Sequence, residues 1–414
     1  MSPTVVTALF LVAVAASTGL RAWLALRQMR HVSLHRGEVP AEFAASIPLD
    51  AHQKAADYSV AKGRLFLFEL TADVVLLLAF TLGGVLQRLA DGIAALGAQG
   101  YLLGLTLFAA YGIIGFVVGL PFSLYRTFRL ETRFGFNKTT PTVFVADIAK
   151  GALLAVVIGG PVLFVVLWLM AAMGERWWLY VWLFWLGFNL LALLLYPTLI
   201  APLFNKFSPL TDEALRTRVE KLLARCGFQA SGLFVMDGSR RSAHGNAYFM
   251  GFGKGRRIVF FDTLLARLTP AEIEAVLAHE LGHFKLHHVW KHIGLQALLA
   301  LALLWLLGWL MESPAFFAGL GVTAPGTAMG LILFSLVLPV FLFPLAPLTS
   351  LLSRRREFEA DAYASSHASA NDLVNALVKL YRDNAATLTP DPLHSLFHDS
   401  HPPASARIAR LRAS

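Results

Sequence analysis

Seven apolar stretches, each close to the roughly 20 residues a helix needs to cross a bilayer's hydrocarbon core, constrain this chain more than any other feature. Their approximate limits are 4–26, 65–87, 102–124, 151–173, 177–200, 289–311 and 327–350. Of the 414 residues, 57% are hydrophobic and 15% charged, too apolar a balance for a typical soluble protein with a polar surface. The sequence therefore predicts a mainly α membrane protein with seven transmembrane helices. Polar sequence divides it into four parts: spans one to five with their loops (1–201), a polar insertion (202–288), spans six and seven (289–350) and a C-terminal segment (351–414).

Basic residues alternate between the loops. Arg27, Arg30, Arg36, Lys54, Lys62 and Arg64 follow the first span, Arg126, Arg129, Arg133 and Lys138 the third, and Arg354, Arg355 and Arg356 the seventh. The loops after spans two and four offer only Arg88 and Arg176, and residues 312–326 contain none. Lys and Arg concentrate on the cytoplasmic side, which puts the N-terminus outside and the insertion and C-terminus in the cytoplasm. The first span has its positive charges after the apolar run, so it reads as a signal anchor and not as a cleaved leader. Those loops account for the formal charge of +9, and nucleic acid is not an expected partner. Cys226, the sole cysteine, excludes an intramolecular disulfide and a multi-cysteine zinc finger. Glu69 and Asp73 lie within the second span, where carboxylates face protein or water. They either line an internal cavity or form a hydrogen-bonded pair.

In the insertion, an amphipathic helix near Asp212 to Arg225 and strand candidates near Leu233 to Met236 and Ile258 to Phe261 describe a small α+β, zincin-like unit. The Ser242 to Phe252 stretch supplies either an edge strand, to which an extended peptide could add main-chain hydrogen bonds, or a glycine-rich hairpin. Thr269-Pro270-Ala271-Glu272 then opens a helix with a cap, a proline at the first helical position and a glutamate for a capping box. That helix carries His279-Glu280-Leu281-Gly282-His283.

Residues four apart share a helix face, so His279 and His283 can reach one metal ion with Glu280 beside it. Two neutral imidazoles leave Zn²⁺ strongly Lewis acidic, and the carboxylate can take a proton from water attacking a carbonyl. A hydrolytic zinc site commonly uses three protein ligands, so one is missing. Glu357 and Asp361 lie one turn apart in the run 353–364: Glu357 could complete the site and Asp361 orient a ligand, while Glu359 points largely elsewhere. Taken alone, such a run reads as a solvated, ion-paired helix; no other carboxylate cluster near the cytoplasmic face favours ligation. His287, His288 and His292 read as interfacial packing, since a fourth histidine ligand would close the position water needs.

Several separate segments, in order, resemble the type I CAAX prenyl endopeptidases, seven-span zinc metalloproteases that cleave near prenylated C-termini. They are Gly135-Phe136-Asn137-Lys138-Thr139-Thr140-Pro141 with Asp147 and Lys150, residues 200–207, His244 to Tyr248, the histidine helix, the Glu357 and Asp361 helix, and His401-Pro402-Pro403 followed by Arg407-Ile408. The resemblance implies a helical barrel around a water-filled chamber with Zn²⁺ held by His279, His283 and Glu357, Glu280 as the base and Asp361 behind the ligands. It further implies that His401 assists the substrate carbonyl or its tetrahedral intermediate, that Arg407 holds an acidic partner, and that His244, Asn246, Ala247 and Tyr248 align the peptide.

The expected function is therefore integral-membrane zinc endopeptidase, with polypeptides as partners, prenylated C-terminal peptides among them, and lipid around the spans. Two alternatives stay open: a membrane-protein quality-control protease without prenyl substrates, and a transporter-like scaffold with structural zinc. The Arg-over-Lys bias and compact Ala/Leu-rich loops lean toward a bacterial inner membrane.

Overall fold

The computed structural model describes residues 1–250 and 257–413. Its first half is a set of long helices: α1 (Pro3–Leu34), α2 (Leu49–Phe80), α3 (Val85–Ala95), α4 (Gly100–Glu131), α5 (Pro141–Ala172) and α6 (Gly174–Phe204). At 1.5 Å per residue, a 32-residue rod such as α1 is about 48 Å long, well beyond a hydrocarbon core of about 30 Å. The excess projects into water and carries polar contacts. Arg36 after α1 pairs with Asp57 on α2 at 2.8 Å, and His52 Nε2 bonds the His35 carbonyl at 2.8 Å.

The second span departs from its expected limits of 65–87. α2 stops at Phe80, where Thr81 Oγ1 donates to the Leu77 carbonyl at 2.6 Å and Gly84 takes a left-handed φ of 66°. α3 then leaves at 55° to α2. Glycine supplies the conformation that makes the turn, and no apolar count signals it. Within α2, Glu69 pairs with Arg126 of α4 at 2.5 Å, while Asp73 is exposed and interacts with Arg21 of α1. The two carboxylates thus find separate arginines on neighbouring helices, not each other.

The insertion begins with β1 (Phe207–Pro209), α7 (Glu213–Arg225), β2 (Gly232–Met236), β3 (Ala247–Met250) and β4 (Arg257–Phe261), a four-stranded sheet in the order β1-β2-β4-β3. β2 and β4 run parallel, with Leu233 opposite Ile258, and the outer pairs are antiparallel. Asp212 caps α7 through Leu215 N at 2.9 Å, and Leu215, Val219, Leu222 and Leu223 form its buried stripe. α8 (Pro270–Lys285) packs beside it with the expected capping box: Glu272 Oε2 accepts from Thr269 N at 2.7 Å, and Thr269 Oγ1 accepts from Glu272 N at 3.4 Å.

After α8 come α9 (His288–Met311) and α10 (Thr327–His367). Among the described residues, six helices are long and apolar enough to cross a membrane, or up to seven with the bent α2–α3 pair counted as one span. α10 runs 41 residues, so the division expected at 350/351 falls inside one continuous rod. Its apolar half is a span and its polar half reaches the insertion. Three helices finish the chain: α11 (Ala370–Asp383), α12 (Pro392–His398) and α13 (Ala404–Ala413).

Sheet, α7, α8, α11 and α13 share one core through Ile258, Phe260, Leu277, Leu281, Leu373 and Ile408. Each such side chain contributes about 1.5–3 kcal/mol when fully buried. Asp391 fastens this body to the first span. Its carboxylate caps α12 at Leu393 N and His394 N (3.1 and 2.9 Å) and accepts from Arg27 of α1 at 2.8 Å, while its own N–H donates to Gln28 Oε1 at 2.7 Å.

Candidate active site

The site forms where α8 meets the polar half of α10. Gly282 makes that meeting close: a Cβ there would stand 3.0 Å from Ala360 Cα and 3.1 Å from Tyr363 Cβ. With the helices in contact at Gly282, the side chains one turn to either side face each other. His283 Nε2 lies 3.3 Å from His279 Nε2 and 3.3 Å from Glu357 Oε1, and His279 Nε2 lies 3.5 Å from Glu357 Oε2.

These separations test the fit of a metal. Donors bound at 2.0–2.1 Å in a tetrahedron stand about 3.3 Å apart, which is the spacing found. His279, His283 and Glu357 are the metal-competent group of His, Cys and carboxylate side chains among the described residues. Glu357 Oε2 is also buried and makes no hydrogen bond, an orphan that a cation would satisfy. Glu280, next to His279, is half-buried. Burial pushes its carboxyl up; His279 and His283 oppose this, and Glu357 adds to it. Such a group is a stronger base than an exposed glutamate.

Behind His279, Asp361 Oδ1 lies 2.9 Å from Nδ1, and Arg407 grips Asp361 with two bonds at 2.8 and 2.6 Å. All three are buried. Burial works against charge on His279, but the Asp361 and Glu357 carboxylates prevail and raise its pKa to about 9. A metal bound at Nε2 takes the place of that proton. Asp361 and Arg407 thus stand behind His279, and Arg407 also lies 3.7 Å from Glu357 Oε2.

His401 approaches from the opposite side, with Nε2 3.5 Å from Glu357 Oε1 and Nδ1 2.9 Å from Ser400 Oγ. Its loop is tied down where Ser350 Oγ donates to the Asp399 carbonyl at 2.6 Å and Arg354 Nε to the same oxygen at 3.3 Å. A cavity of about 480 Å³ opens beside it, lined in part by Lys62, Tyr381, His394 and Ser400. Tyr381, absent from the sequence-based expectations, brings a half-buried phenol to this wall; an aromatic on an amphipathic helix carries no signal beyond packing.

The expected peptide-aligning segment is a strand. β3 stands at the end of the sheet order, paired to β4 through Ala247 opposite Phe260 and Tyr248 opposite Val259. Gly251 and Phe252 of that stretch lie outside the described residues. Asn246 is exposed, with its Oδ1 on Ala247 N at 2.8 Å, and Ala247 is buried. The Tyr248 hydroxyl meets Met236 Sδ at 3.6 Å. His244 stacks on Phe136 with ring centroids 4.5 Å apart, and its Nδ1 lies 3.2 Å from Asn384 Oδ1. The His244 and Tyr248 side chains thus tie the segment to its neighbours, and among the described residues β3 is an edge strand of the sheet.

Sequence reasoning missed Arg241. Its guanidinium makes two bonds to Asp147 at 2.8 and 2.9 Å and one to Asn205 Oδ1 at 3.0 Å, and its carbonyl accepts from Lys138 N at 3.1 Å. One residue thus joins three segments noted separately: 135–141, Asp147 and 200–207. The signal was present in their shared polar residues, without a partner to assign.

The expectation for His288 needs correction. It is not a packing residue alone: His283 Nδ1 lies 3.0 Å from His288 Nδ1, and His288 Nε2 lies 3.0 Å from Glu359 Oε2. The cause is local. His287 takes a left-handed φ of 58° between α8 and α9, which turns His288 back toward the site.

Two histidines and a glutamate at metal-ligand spacing, beside a half-buried glutamate in a multi-span helical protein, define a membrane metallohydrolase. Residues 28–206 match the family described as CAAX prenyl protease N-terminal, five membrane helices, and residues 209–414 match Peptidase family M48. A CAAX prenyl protease 1 homolog of Arabidopsis thaliana is 43% identical over 305 residues, 72% of this chain and 70% of that protein. The Mus musculus homolog is 32% identical over 442 residues, 94% and 92% of the two chains. The crystal structure of S. mikatae Ste24p matches with a TM-score of 0.91 at 31% identity, covering 99% of each chain. This chain belongs to the CAAX prenyl protease family and is an integral-membrane metalloendopeptidase. That membership favours a protease over a transporter-like scaffold.

Proposed function

We propose that the chain hydrolyses polypeptides near prenylated C-termini, with Zn²⁺ as its metal and His279, His283 and Glu357 as the ligands. The observation that carries this is the 3.3–3.5 Å spacing of the His279 and His283 Nε2 atoms from each other and from the two oxygens of Glu357, beside the half-buried Glu280. Two nitrogens and one oxygen suit zinc, which when bound acidifies water and polarises a carbonyl. Glu280 takes the proton of the attacking water and delivers it to the amide nitrogen as the C–N bond breaks. Ser400 Oγ–H donates to His401 Nδ1, which leaves Nε2–H to donate to the carbonyl oxygen as it gains charge. Asp361, held by Arg407, accepts from His279 Nδ1 and so presents Nε2 to the metal. Asn246, Ala247 and neighbours align the peptide along the free edge of β3.

The relatives' shared name supports prenylated C-terminal substrates, and lipid surrounds the spans. The helices' apolar windows are mostly unburied by protein, which supports their facing lipid; the family resemblance supports their standing around a central chamber. The division into 1–201, 202–288, 289–350 and 351–414 serves this scheme as membrane wall, catalytic insertion, membrane wall and closing segment. The alternation of Lys and Arg supports a cytoplasmic site and an outside N-terminus, and the arginine bias a bacterial inner membrane.

Identifying the peptides retained by purified Glu280→Gln protein tests the substrate class. Enrichment of lipidated C-terminal peptides is expected. Recovery of unmodified membrane-protein fragments instead would move the function to membrane-protein quality control.

A further inference from the structure

The two histidines of α8 are supported from behind by different devices. Asp361 stands behind His279, and behind His283 stands His288, itself backed by Glu359. His288 is buried to 4% exposure, and Glu359 also takes a bond from Arg355 at 3.2 Å. Two imidazole nitrogens 3.0 Å apart can bond only if one carries hydrogen and the other a lone pair. Glu359 decides which. An ionised carboxylate only accepts, so His288 carries its hydrogen on Nε2 and leaves Nδ1 as an acceptor. His283 must then donate from Nδ1, which frees its Nε2 lone pair on the side facing His279 and Glu357.

We infer that His288 and Glu359 are positioning residues that fix the tautomer and ring orientation of His283 for metal binding. The inference rests on His279, His283 and Glu357 being the metal donors. Partners that orient a ligating histidine from behind are worth about 10- to 100-fold in metal affinity when lost. The left-handed turn at His287 matters because it alone returns the chain so that the first residue of α9 faces the last turn of α8.

Zinc affinity of the purified full-length protein, measured by competition with a chelator, tests this on His288→Leu, His288→Asn, Glu359→Ala and Glu357→Ala. His288→Leu should weaken zinc about 10- to 100-fold while the unfolding temperature of the zinc-free protein stays near the parent's. His288→Asn places an amide oxygen near the lost Nδ1 and should recover most of the affinity, an outcome a purely structural role would not give. Glu359→Ala should also weaken zinc; at a side chain 39% exposed it carries the test alone should His288→Leu not fold. Parental affinity in His288→Leu or Glu359→Ala, or equal loss in the Leu and Asn variants, overturns the inference. Glu357→Ala separates the two levels: parental affinity there overturns the ligand assignment itself, whereas zinc loss there with none in His288→Leu overturns only the role of His288.

Discussion

Gly282 and Ala360 touch backbone to backbone, and the metal-competent cluster exists because of that contact. A methyl group at Gly282 would reach within 3.0 Å of Ala360 Cα, tighter than ordinary van der Waals packing. Gly282→Ala should therefore part α8 from α10 by a few tenths of an ångström, and Gly282→Val by more. Zinc affinity should fall in that order, with far-ultraviolet circular dichroism unchanged. Parental zinc affinity in Gly282→Val would show that the close approach does not set the site.

Arg407 neutralises a buried carboxylate, so removing it leaves Asp361 partly uncompensated. Arg407→Met should cost on the order of 3 kcal/mol of stability and weaken zinc as well. Because the two residues act as a unit, Arg407→Met combined with Asp361→Asn should cost less than the separate losses added together. Additive losses in denaturant unfolding would argue against the pairing.

The role proposed for His401 is in the chemistry and not in holding the metal. His401→Ala should lower kcat by about 10²- to 10³-fold, the effect of losing one oxyanion donor, with KM much less changed and zinc content kept. Loss of zinc, or near-parental turnover per folded molecule, would refute that role.

Stability below neutral pH should depend on His394. Burial, with His398 adding, pushes its pKa down to about 4. Between about 4 and about 6.5 the unfolded chain binds a proton that the folded chain does not. The stability from a neutral His394 is thus complete above about 6.5 and is lost as pH falls toward 4. Melting temperature in detergent should drop less between about pH 7 and about pH 5 for His394→Gln than for the parent; parallel curves would contradict this.

Cys226 is buried, which gives a quiet background for mapping orientation with added cysteines. A membrane-impermeant thiol reagent applied to intact cells should label Ala324→Cys, in the loop after the sixth span, and miss Glu213→Cys, in the insertion. The reverse pattern would invert the topology.

Local features were legible in the sequence and long-range ones were not. His279 and His283 stand one turn apart on one helix, and Thr269 to Glu272 announces its start, so both followed from spacing. Glu357 and Asp361 have the right spacing, and Glu359 lies off their face, yet the run around them reads as a solvated helix; the α8–α10 contact is what brings that face to the histidines. The turn at Gly84 and the left-handed His287 are backbone conformations that apolar periodicity does not encode. For that reason the expected second span, 65–87, starts late and runs past the end of α2 at Phe80, and packing alone is expected of His288. Arg241 was invisible as a hub because its partners, Asp147 and Asn205, lie 94 and 36 residues away.

The most direct test of the metallopeptidase assignment pairs zinc content with peptide cleavage in purified parent and Glu280→Gln protein, on one prenylated peptide. In the proposed scheme Glu280 takes a proton from the attacking water and is not a metal ligand. The variant should hold as much zinc as the parent and lose about 10²- to 10⁴-fold in cleavage rate, the range for one general base. Cleavage at the parental rate, or zinc lost together with activity, would contradict the roles given to this site.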